Sequence, residues 1–347
     1  MNRYRLALIA VAAAVMAAVA LAVFRPVAAP TISGGAGSTL LPAEQRVVAP
    51  AFTGIDGWIN SSPLSVGRLQ GHVVLVDFWT FSCVNCVRTI PHLQQLYNAY
   101  RSRGFVIVGI HSPEFDFEKV PDNVKAAVKR LGVTWPVALD SEMATWNAYS
   151  TQYWPTEELI DQQGRIAYVH FGEGDYDVTD HAVATLLGVS PATGAAATPV
   201  PSTITPELYA GSARGTLADG ATYGPQGRPT DYPDGGPPRA NDALQVTGVW
   251  TDRGQYLQSD GPGHVRLRFH ANDVYVVVGT SGGSLPLQVR LDGNLVPPQQ
   301  SGPDLSGSSV AVTRQDLYHL IAHESAGYHL IDLSLPAGAQ LYTFTFG

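Results

Sequence analysis

The stretch His-Val-Val-Leu-Val-Asp-Phe-Trp at residues 72–79 limits the fold of this chain more than any other. It is apolar at six of its eight positions, three of them valine, and shows no polar alternation. Such a strand must be covered on both faces, as central strands flanked by helices are. A second run of the same kind, Gly-Phe-Val-Ile-Val-Gly-Ile-His, follows at residues 104–111. Between them a helix should begin near Cys83, since Ile90, Leu93 and Tyr97 then fall on one side. Further on, a helix is expected at residues 118–132 with Gly132 as its stop, and a short strand at 135–140. A hairpin at 156–171 should turn near Gln163 and Gly164, and a helix at 180–188 should close the unit. The alternation predicts an α/β domain over residues 47–189.

The remainder has a different texture. Residues 190–206 are a linker by composition, and Gly and Pro stay dense to about residue 239. From about residue 240 to 347 the chain offers short strands and turns without helical periodicity, such as His-Val-Arg-Leu-Arg-Phe at 264–269. This predicts an all-β, jelly-roll-like sandwich. At the other end, Arg3 and Arg5 precede an unbroken apolar run from Leu6 to Phe24. That is the length of one membrane span, so residues 1–25 are expected to be a signal anchor, with a cleaved signal peptide as the alternative. Residues 26–46 then form a spacer, and the rest lies outside the cytoplasm, held to the cytoplasmic membrane or secreted. Charged residues are sparse and the net charge is −8, which argues against a nucleic-acid partner.

The chain has only two cysteines in 347 residues, Cys83 and Cys86, spaced Cys-x-x-Cys after the central strand. As a staple, so short a loop is worth about 2 kcal/mol at most in the chain-entropy model. A metal site needs more ligands than two sulfurs, and covalent haem attachment needs a His where Val87 stands. A redox pair that turns over fits better. Helix N-terminal amides and the helix dipole favour a thiolate there. Cys83 is the expected exposed attacker, and Cys86, one turn on, the more buried resolving thiol. Asp77, costly inside so apolar a run unless it has a task, is expected to exchange a proton with Cys86. Thr80 stands three residues before Cys83 as in peroxiredoxins, but the proline that family places four residues earlier is replaced by Val76.

The segment Val-Asp-Phe-Trp-Thr-Phe-Ser-Cys-Val-Asn-Cys resembles the thioredoxin signature, with Trp79 in the signature's Phe-Trp pair. Pro91, five residues after Cys86, matches the proline inside the thioredoxin active-site helix. Tyr-Trp-Pro-Thr at 153–156 resembles the segment of the thioredoxin cis-proline, which implies a cis bond at Pro155 lying against the cysteine pair. Gly-Ile-His-Ser-Pro-Glu-Phe at 109–115 and Phe-Gly-Glu-Gly-Asp-Tyr at 171–176 narrow the likeness to the extracytoplasmic part of DipZ-type, TlpA-like thiol oxidoreductases. There a thioredoxin-like domain precedes a β-sandwich resembling carbohydrate-binding modules. The resemblance implies protein thiols and disulfides as substrates and no cofactor beyond the Cys83–Cys86 disulfide. Thioredoxin-like proteins of cytochrome c maturation carry a glutamate near the active site at about the place of Glu114. DipZ-type proteins carry a multi-helix electron-passing module; with one candidate span here, electrons would come from a separate, CcdA-like membrane protein. Trp250, Tyr256 and Tyr275 could stack on cell-wall glycan, or could be core aromatics.

Overall fold

The computed structural model describes residues 40–191 and 204–347. Both apolar runs become neighbouring strands of one sheet. β1 (Gly57–Ile59), β2 (Val73–Trp79), β3 (Phe105–His111), β4 (Val137–Leu139), β5 (Thr156–Ile160) and β6 (Ile166–Phe171) lie in the order β1-β4-β3-β2-β5-β6. β2, β3 and β4 are parallel; on the other side of β2, β5 pairs antiparallel with it and β6 antiparallel with β5. β2 is buried at every position because each face has its own apolar cluster. Val73, Leu75 and Trp79 face the cluster containing α1 (Val84–Tyr100), and Val74, Val76 and Phe78 face the other. α1 buries Ile90, Leu93, Leu96 and Tyr100 along one stripe, with Pro91 inside the helix.

Several expectations for this domain change, among them the start of the closing helix, which lies at Tyr176 rather than residue 180. The helix expected from residue 118 is α2 (Pro121–Arg130), because Pro121 supplies a ready first turn while Glu118 sits in a separate 3-10 turn, Asp116–Lys119. β1 was not expected; three half-buried residues at a sheet edge leave no periodic signal. Residues 40–46 are tied down rather than free: the Leu41 N–H donates to the Ala167 carbonyl at 2.7 Å, and Arg46 pairs with Asp161 at 3.2 Å. A short helix, α3 (Ala144–Ala148), and α4 (Tyr176–Leu187) complete the domain, and α4 stops at Gly188, whose φ of +66° suits a glycine C-cap.

The second domain is all-β apart from short 3-10 turns. Its strands are β7 (Leu208–Tyr209), β8 (Pro229–Tyr232), β9 (Gln245–Asp252), β10 (Leu257–Ser259), β11 (Gly263–Thr280), β12 (Leu285–Leu291), β13 (Asn294–Leu295), β14 (Ser309–Val312), β15 (Asp316–Leu335) and β16 (Ala339–Phe346). They form one hydrogen-bonded sheet rather than two separate ones. β11 and β15 pair along their length through register shifts near Asp273 and Val274. β11 pairs with β9 in its first half and with β16 in its second, and β10 joins β9 to β16. The long bulged strands therefore wrap the sheet around a single core that includes Trp250, Phe269, Leu320 and Phe344. The segment expected to be irregular, 190–239, is partly structured. β7 pairs with β16 and β8 with β9, so residues from about 205 onward belong to this domain.

The two domains meet on aromatic side chains. Phe115 and Phe117 pack edge-on against Tyr342 at 5.2 and 4.8 Å, and Tyr342 and Val277 join the first domain's apolar cluster. Arg130 reaches Asp316 at 2.6 Å, and the Asp116 N–H donates to Gln255 at 3.0 Å. The expected anchor at residues 1–25 lies outside the described residues; within those, no helix is long and apolar enough to cross a membrane.

Candidate active site

β2 ends at Trp79, and a tight loop delivers Cys83 to the N-cap of α1. Both cysteines are free thiols; Cys83 is half-buried, while Cys86 is 2% exposed. The Cys86 N–H donates to the Cys83 sulfur at 3.4 Å, so a first-turn amide of the helix is aimed at that thiol. The Trp154–Pro155 bond is cis, and the Trp154 carbonyl lies 3.9 Å from Cys83 Sγ. Burial, followed by the hydrogen bond to Cys83 and its charge, pushes the Cys86 thiol well up. The site thus holds one accessible sulfur beside one that keeps its proton.

Asp77 is 3% exposed, and its charge bears on Cys86. Burial and then the charge of Glu157 push the Asp77 carboxyl well above the usual range. Glu157 lies directly opposite Asp77 in the β2–β5 register. Its own carboxyl is pushed up to about 7 by burial, although it accepts from the Thr179 hydroxyl at 3.1 Å. Sequence reasoning missed Glu157. The signal was available, since Thr-Glu-Glu-Leu-Ile sets carboxylates into a strand just as Val-Asp-Phe-Trp does.

Glu118 was also missed. It is 1% exposed and accepts four hydrogen bonds: from Thr80 Oγ1 and Ser82 Oγ at 2.5 Å each, and from the Glu114 and Phe115 N–H groups at 2.6 and 2.9 Å. It therefore bolts the loop before Cys83 to the loop after β3. Burial and the Glu114 charge push its carboxyl up to about 7 despite those donors. Glu118→Ala would leave four donors without their acceptor and is expected to cost about 3–5 kcal/mol of stability. Urea unfolding checks this, and a loss under about 1 kcal/mol would show that water replaces the carboxylate.

The other expected residues separate into two groups. Glu114 lines the same cavity as Cys83, but its carboxylate is held by Arg214 at 2.6 Å and by the Tyr209 hydroxyl at 2.9 Å, both from the second domain. Trp79 is buried on the Cys86 side of the sheet, edge-on to His111 at 5.4 Å, and does not line that cavity. His111 is a packing residue, stacked on Phe81 at 5.6 Å, and burial lowers its imidazole to about 3. Trp250 is fully buried with its N–H on the Thr247 carbonyl at 2.8 Å, Tyr256 packs on Tyr342 at 4.9 Å, and Tyr275 stacks on His319 at 4.0 Å. Trp250 is thus a core aromatic, whereas Tyr256 and Tyr275 are half-buried. Among the described residues no group of three or more His, Cys, Asp or Glu is placed to hold a metal.

Two family models match the chain: Redoxin over residues 43–187 and "Thioredoxin like C-terminal domain" over residues 205–347. The protein DipZ of Mycobacterium tuberculosis is 38% identical over 313 residues, covering 86% of this chain and 43% of DipZ. The chain thus spans less than half the length of that relative. SUPPRESSOR OF QUENCHING 1, chloroplastic, of Arabidopsis thaliana is 35% identical over 145 residues, 42% of this chain and 14% of that protein. The thiol-disulfide oxidoreductase ResA of Halalkalibacterium halodurans is 29% identical over 114 residues, 33% of this chain and 62% of ResA. The sheet and the cis-proline accord with these matches: the chain pairs a Redoxin domain with a thioredoxin-like C-terminal domain, and its relatives include thiol-disulfide oxidoreductases.

Proposed function

We propose that this chain is an extracytoplasmic thiol–disulfide oxidoreductase that reduces, or exchanges, disulfides of exported proteins through Cys83 and Cys86. The observation that carries the reading is the division of labour between the sulfurs: Cys83 half-buried under a helix amide at 3.4 Å, Cys86 buried and holding its proton. In the forward direction the Cys83 thiolate attacks one sulfur of a substrate disulfide. A mixed disulfide forms and the first substrate thiolate leaves. Cys86 then gives up its proton, with Asp77 as acceptor, and attacks Cys83 Sγ. The second substrate thiolate leaves and takes up a proton, and two electrons have passed from the dithiol to the substrate.

The oxidised pair must then be reduced again, and a separate CcdA-like membrane protein is the proposed donor. The apolar run from Leu6 to Phe24 behind Arg3 and Arg5 supports a membrane-held N-terminus with the enzyme outside, where disulfides persist. Exported apocytochromes are a fitting substrate class, given the likeness to ResA- and DipZ-type proteins. The same fold could instead donate disulfides, and the reduction potential separates the directions. The test is a redox titration of the full chain in detergent against a dithiol buffer. A potential near about −270 mV, as in thioredoxin, means a reductant; one near about −120 mV means a disulfide donor. Absence of a reversible two-electron couple would sink the reading.

A further inference from the structure

The cavity over Cys83 is not built by the first domain alone. It encloses about 260 Å³, with Cys83, Gln152 and Tyr153 on one side and Glu207, Tyr209 and Arg214 of the second domain on the other. This is smaller than the ~300–1,000 Å³ of ordinary small-molecule sites, room for a cysteine side chain and one neighbour of an extended segment. Its charges do not balance. Arg214 is committed to Glu114 at 2.6 Å and lies over the Tyr209 ring at 3.8 Å from its centroid. The Tyr209 hydroxyl faces two carboxylates, Glu114 at 2.9 Å and Glu207 at 3.0 Å, and has one proton for both. The other donor to Glu207 is the neutral Thr343 hydroxyl at 3.1 Å, and among the described residues no cation pairs with it. The wall facing the reactive thiol thus presents a second carboxylate that shares the Arg214 charge with Glu114 instead of having an ion pair of its own; burial and then the Glu114 charge push Glu207 up to about 7, so it is ionised at pH 8.

We infer that Glu207 and Arg214 are specificity-determining residues, and that the second domain selects extended cysteine-containing segments carrying a Lys or Arg beside the cysteine. The inference rests on the oxidoreductase reading above. A cation entering beside the substrate sulfur would complete the set of one guanidinium, two carboxylates and one phenol. An anionic neighbour would meet two like charges.

The test is a single turnover of the pre-reduced full chain at pH 8, so that the Cys83–Cys86 dithiol supplies both electrons. The oxidants are two short peptide disulfides, Gly-Lys-Cys-Gly and Gly-Glu-Cys-Gly homodimers, and uncharged 2-hydroxyethyl disulfide. The Lys peptide is expected to react about three- to fivefold faster than the Glu peptide, as an accessible ion pair allows, and the ratio should shrink as salt rises. Glu207→Gln should bring the ratio close to one and E207K should invert it. Arg214→Gln, which frees Glu114 as well, should raise it. Each ratio is internal to one variant, so a general loss of activity divides out. A wild-type ratio of one or below, or a ratio that Glu207→Gln leaves unchanged, overturns the inference. Failure of the wild-type chain to reduce all three disulfides overturns the oxidoreductase reading instead.

Discussion

Replacing Cys83 with serine is expected to abolish disulfide reduction, whereas replacing Cys86 with serine is expected to stop the reaction halfway. A serine hydroxyl at position 83 is not ionised near neutral pH and cannot form the mixed disulfide, so a loss of about 10³-fold or more should follow. In Cys86→Ser the accessible sulfur remains and the first attack proceeds within a few-fold of wild type, but nothing displaces the substrate. The intermediate should accumulate and be seen by intact mass as protein plus one substrate half. The asymmetry follows from geometry, since only Cys83 is reachable from the cavity while Cys86 is 2% exposed. Trapping through Cys86 in the Cys83→Ser protein would reverse the assignment of attacker and resolver.

The second large effect belongs to Asp77. Cys86 must lose a proton that burial makes it hold, and Asp77 is the buried carboxyl whose charge it feels. Asp77→Asn keeps the shape but cannot accept that proton, so collapse of the mixed disulfide should slow by roughly 10²-fold, in the usual range for a lost general base. Initial attack by Cys83 should be little changed; equal slowing of both steps would rule out a proton-exchange role. Stability should move the other way. In the folded state the Asp77 carboxyl is raised and Glu157 is pushed up to about 7, whereas unfolded carboxyls titrate near about 4. Between those values the native state binds more protons than the unfolded chain, so stability is complete below about pH 4 and declines as pH rises through about 7. Asparagine removes one of those titrations. At pH 8 the Asp77→Asn protein should be more stable than wild type by on the order of 1 kcal/mol, with a smaller difference at pH 5, as read from denaturant midpoints at both values.

The parts of this molecule that were legible in its sequence are those whose signal is local. An apolar run, a Cys-x-x-Cys spacing and an acid six residues before the first cysteine lie within fifteen residues of one another, and α1 and β2 follow directly from them. Glu157 is as legible as Asp77, being an acid inside an apolar strand, but its strand reads first as half of a hairpin. Glu118 was hidden because it stood at the start of a helix pattern that Pro121 in fact opens. Glu207 and Arg214 were beyond reach, as more than 120 residues separate them from Cys83 and only the packing of two domains brings them to one cavity. β7 and β8 lie among Gly and Pro residues because each is a short edge piece recruited by a longer strand, β16 or β9, rather than by its own periodicity.

The seam between the domains has an evolutionary side. Family models divide the chain between residues 187 and 205, as though two modules had been strung together. Yet Val277 and Tyr342 share an apolar cluster with Leu75 and Ile107, and Tyr342 touches Phe115 and Phe117. Close-packed side chains tolerate volume changes poorly. A drift in β16 is therefore felt in the loop that carries Glu114 and Glu118, and must be matched there. Exchanging either module for a relative's would therefore require its partner surface to be matched as well.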